Sequence, residues 1–402
     1  MKIPFSPPDI NDSVLDEVKD SLISGWITTG PKVKKLEGLV SKYTPSPKTL
    51  CVNSATSGLM LALKWYHVGP GDEVIIPAYT YAATALAVIH VGAVPVMVDV
   101  ENDFNISISK IEKSITEKTK AIIPVDIAGW PCDYDEINDL VKQKQNLFVP
   151  KGQNQEKLKR ILVVSDSAHS IGAKYKKNYI GAVSDITVFS FHAVKNVTTA
   201  EGGALCINLP KPFNNQEVYD YLRLYTLNGQ TKDAFTKSKA GGWKYDIAFA
   251  GLKINLPDVL AAIGVAQLPN YFESTLERRK LIFDFYQTFL SKCKWAILPP
   301  LESQDKVSSC HIYALRINNI NEETRDLIIE KITEKGVAVN VHFQPLPILT
   351  LFKKLGYNIS DFPVAYNNYK CEISLPIYPQ LTQEELNYIV NSVRESVESS
   401  IT

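Results

Sequence analysis

Short apolar runs alternate with helix-length stretches between about residues 49 and 206. Such runs are typical of buried strands, and their alternation with helices predicts an α/β domain with a largely parallel sheet. The predicted strands are 49–52, 74–76, 95–98, 121–123, 161–164 and 186–189, and the predicted helices between them include 56–65 and 80–90.

The pattern changes in three other parts of the chain. Residues 143–160 are polar and rich in amides, which predicts a surface insertion, and the polar, glycine-containing stretch 228–242 predicts a mobile loop. After about residue 290 the strands become shorter and the helices amphipathic, ending in a charged helix from residue 382. We therefore expect a large domain over 1–270, including the N-terminal segment, and a small C-terminal domain over 271–402.

The composition excludes several classes of protein. The 402 residues carry 43 Lys+Arg and 43 Asp+Glu, so no basic excess indicates a nucleic-acid partner. No run approaches the ~20 apolar residues of a membrane span, and the first residues lack a signal-peptide core. The six cysteines and six histidines are scattered, which predicts no metal site and reduced thiols in a cytoplasmic protein.

One candidate for phosphate binding follows the first predicted strand. Residues 53–58 read Asn-Ser-Ala-Thr-Ser-Gly directly before a predicted helix. Small and hydroxyl residues at a helix N-terminus leave backbone N–H groups and a favourable dipole for an anion. A plain helix cap is the alternative interpretation of this segment.

Two further candidates follow a later strand. Asp166 comes at the end of the apolar run 161–164, where open α/β folds bind ligands, and a carboxylate there can hold a protonated ring nitrogen. A loop or cap role is the alternative. His169 could stack on or hydrogen-bond to a flat ligand, and a buried structural histidine is equally compatible with the sequence.

Lys195 lies just after the apolar strand 186–189, before a Glu-Gly-Gly turn at 201–203. An apolar surround lowers the pKa of a lysine and makes its amine a nucleophile for a carbonyl cofactor. A phosphate-binding helix start, an acid for a ring nitrogen and a lysine for a Schiff base are together what pyridoxal 5'-phosphate (PLP) requires.

These segments resemble the sugar-nucleotide aminotransferases of the DegT/StrS family, within PLP fold type I, the aspartate aminotransferase superfamily. The resemblance extends almost from end to end and is most specific at Ser-Phe-His (190–192), Lys195 and Glu-Gly-Gly (201–203). Further matching segments are 25–31, 54–56, 77–81, 92–96, 166–169, 255–268, 341–346 and 374–379.

The resemblance implies an α/β fold with a mixed seven-stranded sheet in the large domain and a small C-terminal α/β domain. It also implies that Lys195 forms the Schiff base and moves protons, and that Asp166 pairs with the pyridine nitrogen. The other implied cofactor-binding residues are Tyr81 stacked on the ring, His169 beside it, Ala55, Thr56 and Ser190 on the phosphate, and Asn228 reaching the cofactor of the partner subunit. A homodimer with shared active sites follows from that last role.

Two positions depart from the family pattern. Glycine often stands where this chain has Ala200, an exchange expected to matter little. Histidine is frequent where this chain has Asp126, which leaves the details of the substrate side open.

The implied reaction transfers the amino group of glutamate to a nucleotide-linked keto sugar, such as a UDP- or dTDP-4-keto-6-deoxyhexose, for polysaccharide or glycan biosynthesis. Three alternatives are an aminotransferase of a non-nucleotide cyclic ketone of the inosose or aminoshikimate type, a sugar 3-dehydratase, and a non-catalytic regulator. Lys195 argues against the dehydratase, because relatives of that kind carry histidine there. The complete set of cofactor groups argues against the regulator.

Overall fold

The computed structural model describes residues 1–231 and 244–401. Most of the loop expected at 228–242 therefore lies outside the described residues. In chain order the helices are α1 Asp12–Ile23, α2 Pro31–Tyr43, α3 Ala55–Trp65, α4 Ala82–His90, α5 Ile108–Ser114, α6 Tyr134–Gln143, α7 Gln153–Leu158, α8 Asn215–Tyr225, α9 Asp258–Asn270, α10 Leu276–Leu290, α11 Glu322–Glu334, α12 Thr350–Lys354, α13 Pro363–Tyr369 and α14 Gln383–Ile401. The strands are β1 Lys48–Val52, β2 Glu73–Pro77, β3 Val94–Val98, β4 Thr119–Ile122, β5 Leu162–Asp166, β6 Lys174–Tyr175, β7 Asn178–Tyr179, β8 Ile186–Ser190, β9 Gly203–Ile207, β10 Ala296–Ile297, β11 Lys306–Val307, β12 Tyr313–Ile317 and β13 Glu372–Leu375.

The seven-stranded sheet has the order β1-β9-β8-β5-β4-β2-β3. Its strands pair in parallel except for β9, which runs antiparallel to both β1 and β8. Six carboxyl ends therefore meet at one edge, beside the amino end of β9. This mixed sheet confirms the fold expected from the resemblance, and the six strands predicted from apolar runs all belong to it.

Burial on both faces explains the composition of these strands. All five residues of β5, β8 and β9 are buried, since helices cover the sheet on both sides, and such strands become continuously apolar. The sheet is thus a rigid platform whose polar residues occur mainly where strands end.

The C-terminal part forms its own sheet, in the order β10-β12-β13. A separate apolar cluster joins this sheet to α10, α11 and α14, and Ile3 from the N-terminal segment packs into it. This arrangement fits a second domain, while the boundary between residues 270 and 271 stays a prediction.

Several hydrogen bonds attach the C-terminal part to the edge of the large sheet, including the three that follow. The backbone N–H of Leu346 donates to the carbonyl of Ala78 at 2.8 Å, and the Tyr79 hydroxyl donates to the carbonyl of His342 at 2.8 Å. Asp99, just after β3, accepts the N–H of Ala365 at 2.9 Å at the start of α13. Residues near 342 are thereby held against the carboxyl edge of the sheet.

The polar stretch 143–160 is more integrated than a surface insertion. It contains α7, and the side chains of Gln155 and Leu158 are buried. The Gln155 amide donates to the carbonyl of Tyr66 at 2.7 Å, so its polarity serves an internal hydrogen bond. The other residues of the stretch are exposed or half-buried, as predicted, so the surface prediction is wrong only at these two residues.

Candidate active site

A cavity of about 570 Å³ opens at the carboxyl edge of the large sheet. Seven of the eight residues expected to bind the cofactor line it, although they are distributed over 141 positions of the chain. These residues are Ala55, Thr56, Tyr81, Asp166, His169, Ser190 and Lys195.

Lys195 lies in the turn that follows β8, where its backbone N–H donates to the carbonyl of His192 at 2.9 Å. Burial lowers the pKa of its ammonium to about 8, and the negative charge of Asp166 acts in the opposite direction. About a tenth of the amine is therefore neutral at pH 7, and this neutral form acts as a nucleophile or proton acceptor.

Asp166 ends β5 and is only 6% exposed. The Thr84 hydroxyl donates to its Oδ2 at 2.8 Å, and the Ala168 N–H donates to its Oδ1 at 3.3 Å. Burial raises the pKa of this carboxyl, while the bond from Thr84 and the charge of Lys195 lower it. Two donors thus fix the orientation of a buried carboxylate that gains most from a cationic partner in the cavity. No sequence pattern indicated Thr84, which comes from α4.

The start of α3 forms an anion cradle. Ser54 caps this helix, because its hydroxyl accepts the N–H of Ser57 at 3.1 Å. The first N–H groups of a helix have no acceptor within it, and those of Ala55 and Thr56 belong to residues that line the cavity. A Cβ on Gly203 would lie 2.6 Å from the nitrogen of Ala55, so glycine is required for β9 to approach this helix start.

Tyr81 and His169 offer flat side chains to the cavity. Tyr81 is 63% exposed, and its ring centroid lies 5.8 Å from that of Phe343. His169 is buried, and its Nδ1 accepts the N–H of Ala128 at 3.2 Å. Burial lowers the pKa of His169 well below its usual value, so the ring is neutral and carries its proton on Nε2.

The C-terminal part supplies cavity residues for which the sequence predicted no role. These include His311, Asn340, His342 and Phe343. His311 Nδ1 lies 2.8 Å from Asn196 Oδ1, and the rings of His169 and His311 are 4.5 Å apart. His342 and Phe343 lie in the segment 341–346, which matches the family, but no local pattern indicates that this segment faces Lys195.

Asn228 does not line this cavity. It is exposed, has a left-handed φ of 63°, and its backbone N–H donates to the carbonyl of Leu252 at 2.9 Å. Its role across a subunit interface stays a prediction.

The two departures from the family pattern have structural counterparts. Asp126 is buried away from the cavity and accepts the Tyr134 hydroxyl at 2.7 Å and the Ser170 hydroxyl at 2.6 Å. It supports the loop after β4 rather than a substrate. Ala200 has a φ of 65°, a conformation that favours glycine, so the exchange at this position is not neutral for the backbone.

Among residues 1–231 and 244–401, no three His, Cys, Asp or Glu side chains are grouped so that they could hold a metal ion. In the same residues, every helix is too short or too polar to cross a membrane.

Comparisons with known proteins cover nearly the whole chain. The sequence profile of the DegT/DnrJ/EryC1/StrS aminotransferase family matches residues 8–394. Uncharacterized protein MJ1066 of Methanocaldococcus jannaschii is 37% identical, covering 98% of this chain and 97% of its own length. Spore coat polysaccharide biosynthesis protein SpsC of Bacillus subtilis is 35% identical, covering 99% and 98%. The PLP form of Spr1654 from Streptococcus pneumoniae, named as a sugar aminotransferase, is 43% identical over 100% of both chains with a TM-score of 0.95.

Proposed function

Because this chain belongs to the DegT/DnrJ/EryC1/StrS aminotransferase family, we propose that it is a PLP-dependent enzyme that transfers the amino group of glutamate to a nucleotide-linked keto sugar. The convergence of Lys195, Asp166 and the start of α3 in one cavity carries this proposal. The substrate that we propose is a UDP- or dTDP-linked 4-keto-6-deoxyhexose, and the product is the 4-amino sugar nucleotide.

The cavity residues fit PLP. The N–H groups of Ala55 and Thr56, with the Ser190 hydroxyl, suit a phosphate at a helix N-terminus. The Asp166 carboxylate suits a protonated pyridine nitrogen, and the Lys195 amine suits the carbonyl carbon. When bound, PLP supplies the carbonyl that receives the amino group and a ring that withdraws electrons from the reacting carbon.

The protein residues transfer protons and hold the cofactor in position. Lys195 Nζ takes the proton from the donor Cα and delivers it to the neighbouring cofactor carbon, as general base and then general acid. Its pKa near 8 suits both directions of this transfer at neutral pH. Asp166 keeps the proton on the ring nitrogen, while Tyr81 and His169 restrict the position of the ring.

The room beyond the cavity supports a large substrate. A second depression of about 510 Å³ shares Thr80, Tyr81, Asn340, Val341 and Phe343 with the main cavity. It therefore continues the cavity outward, past the space that a single sugar ring needs. A nucleotide attached to the sugar uses this space, whereas a free cyclic ketone does not.

The remaining parts of the proposal concern assembly and location. We place Asn228 at the partner subunit's cofactor, in a homodimer with shared active sites, since its amide is exposed on the surface of one chain. We propose a role in polysaccharide biosynthesis, as the name of the Bacillus subtilis relative indicates for that protein. All six cysteines are free thiols, which supports the cytoplasm as the compartment.

A product analysis tests the proposal. The purified enzyme is incubated with PLP, ¹⁵N-labelled glutamate, and either UDP- or dTDP-4-keto-6-deoxyhexose or a free inosose. We expect a sugar nucleotide in which a labelled amine replaces the keto oxygen, with stoichiometric 2-oxoglutarate. The Lys195→Ala variant is the matched control and should give no product.

Two results would contradict the proposal. Loss of the hydroxyl next to the keto group would indicate a dehydratase. Amination of inosose alone would indicate the enzyme of a non-nucleotide ketone.

A further inference from the structure

A chain of three hydrogen-bonded side chains ends in the cavity on the side of the C-terminal domain. His342 lines the cavity, and its Nδ1 lies 2.9 Å from the Ser374 hydroxyl. That hydroxyl lies 2.5 Å from Glu372 Oε1, and Glu372 Oε2 accepts the backbone N–H of His342 at 3.0 Å. The Glu372 carboxyl therefore binds the backbone of His342 directly, and Ser374 connects the same carboxyl to the His342 ring.

The surrounding backbone holds this chain of contacts rigidly. Ser374 belongs to β13, where its N–H donates to the carbonyl of Asn340 at 2.7 Å. The N–H of Asn340 donates back to the carbonyl of Ser374 at 3.2 Å. Glu372 and Ser374 are 0% exposed, so water does not compete for their hydrogen bonds, and only His342 communicates with the cavity.

The hydroxyl of Ser374 couples the protonation state of Glu372 to the tautomer of His342. A serine hydroxyl has one proton, so it donates to one neighbour and accepts from the other. When Glu372 is ionised, Ser374 donates to the carboxylate and accepts from Nδ1–H of His342, which leaves Nε2 as an acceptor. When Glu372 is protonated, the carboxyl donates to Ser374, Ser374 donates to Nδ1, and Nε2 carries the proton.

We propose that Glu372 and Ser374 are positioning residues that set the tautomer of His342, so that the protonation of a buried carboxyl decides whether Nε2 donates or accepts in the cavity. The use of this device rests on the proposed function. A keto oxygen is an acceptor, so the Nε2–H form binds the keto sugar, whereas the Nε2 acceptor form suits a hydroxyl. Glu372 thereby selects between acceptor and donor groups of the substrate without touching it.

Glu372 and His342 titrate in different pH ranges. Burial raises the pKa of Glu372 to about 8, opposed by the hydrogen bonds from Ser374 and the His342 backbone. Burial and the charge of Lys195 lower the pKa of His342 to about 4. The ring is therefore neutral while Glu372 changes its charge. Among the described residues, the other titratable or charged groups facing this pair are Arg316, Arg325, Tyr79 and Cys371 around Glu372, and Lys195, His169 and His311 around His342.

Nitrogen NMR of the ¹⁵N-histidine-labelled holoenzyme tests the inference, with His342 assigned by the signal missing from His342→Gln. In the wild type we expect the proton to move from Nε2 to Nδ1 as the pH rises from about 6 to about 9. In Glu372→Gln the amide donates permanently to Ser374 and its oxygen accepts the His342 N–H. We therefore expect the Nε2–H form over that whole range.

Variants of Ser374 and Tyr79 distinguish an effect on the His342 tautomer from a general effect on packing around His342. Ser374→Ala removes the link and should abolish the pH response of the His342 tautomer, and Ser374→Thr, which keeps a hydroxyl, should restore it. Tyr79→Phe removes the hydrogen bond to the carbonyl of His342 but leaves the three-residue chain intact, so its response should remain.

An identical His342 tautomer in the wild type and Glu372→Gln across this pH range would overturn the inference, as would a response that survives in Ser374→Ala. Because the tautomer is measured without turnover, this result is independent of the sugar assay. A normal tautomer response together with no amination of any keto sugar nucleotide would overturn the proposed function alone.

Discussion

The two walls of the cavity are built in different ways. The large-domain wall carries Asp166, the last residue of β5, and Lys195, in the turn that follows β8 of the same sheet. The opposite wall carries His342, whose backbone is held by Glu372 of a separate sheet and by Tyr79 at the edge of the large sheet. It also carries His311, whose ring contacts Asn196. We infer that bond-making chemistry lies on the wall built from one continuous sheet, and substrate recognition on the wall assembled from separate parts.

The largest expected effect tests this division of labour. Lys195→Ala should lower the aminotransferase rate by at least about 10³-fold, because the cofactor loses its covalent attachment and the reaction loses its general base. His342→Ala on the opposite wall should cost only about 10-fold to 100-fold, chiefly in the half-reaction of the keto sugar. Single-turnover measurements of each half-reaction distinguish the two losses.

The controls concern folding and attachment. Both variants should retain the thermal unfolding temperature of the wild type within a few degrees, and borohydride reduction should fix the cofactor to a peptide in His342→Ala but not in Lys195→Ala. A loss in His342→Ala as large as that in Lys195→Ala would remove the distinction between the walls. Attachment to another lysine would refute the assignment of Lys195.

The difference between the walls also explains what the sequence could predict. Asp166, Lys195 and the helix start at Ser54 each follow an apolar strand, and the carboxyl ends of parallel strands meet at one edge. Local patterns therefore located the large-domain wall, and the family resemblance supplied the roles of its residues. His342 lies more than 140 residues after Lys195, and its position depends on Tyr79 and Glu372, which no local periodicity connects.

Buried polar residues were missed for a related reason. Gln155 and Asp126 are polar residues, yet both are buried and both have hydrogen-bond partners. Hydropathy assigns such residues to the surface, and only tertiary contacts show that their polar atoms are satisfied inside. The same limit applies to Thr84, whose hydroxyl orients Asp166.

A second test concerns electrostatics within the large-domain wall. Asp166→Asn should reduce turnover about 10²-fold to 10³-fold, since a neutral amide does not hold the proton on the ring nitrogen. It should also lower the pKa of Lys195 below its value of about 8, because the carboxylate favours the charged ammonium. The neutral amine reacts with PLP, so in the apoenzyme the pH midpoint of cofactor attachment should move to lower pH.

Stopped-flow absorbance after mixing the apoenzyme with PLP measures that midpoint. Thr84→Val is the matched control, because it removes one hydrogen bond to Asp166 but keeps its charge, and its midpoint should change much less. An unchanged midpoint in Asp166→Asn would show that the two groups do not interact as their positions in the cavity indicate.

A third test asks whether the partner subunit completes the large-domain wall. Lys195→Ala and Asn228→Ala are each expected to be inactive, but a mixed dimer of the two contains one site with both residues intact. Random exchange of subunits makes half of the dimers mixed, so about a quarter of the sites should recover. No recovery, when subunit exchange is shown independently, would mean that Asn228 does not act across the interface.

The smallest expected effect concerns Ala200, in the turn that leads into β9, and it contrasts with Gly203, the first residue of that strand. Ala200 has a φ of 65°, and a left-handed conformation costs an L-residue roughly 1–2 kcal/mol, partly offset by the lower backbone entropy of unfolded alanine relative to glycine. Ala200→Gly should therefore raise the free energy of unfolding by about 1 kcal/mol, measured from the urea midpoint at constant m-value, without changing turnover. Gly203→Ala is the opposite case, because its Cβ would lie 2.6 Å from the nitrogen of Ala55 and displace the start of α3. It should weaken PLP binding as well as folding. If Ala200→Gly instead destabilised the protein, the turn would not be held in the left-handed conformation, and the rigidity assigned to this wall would not extend to the residues that connect β8 to β9.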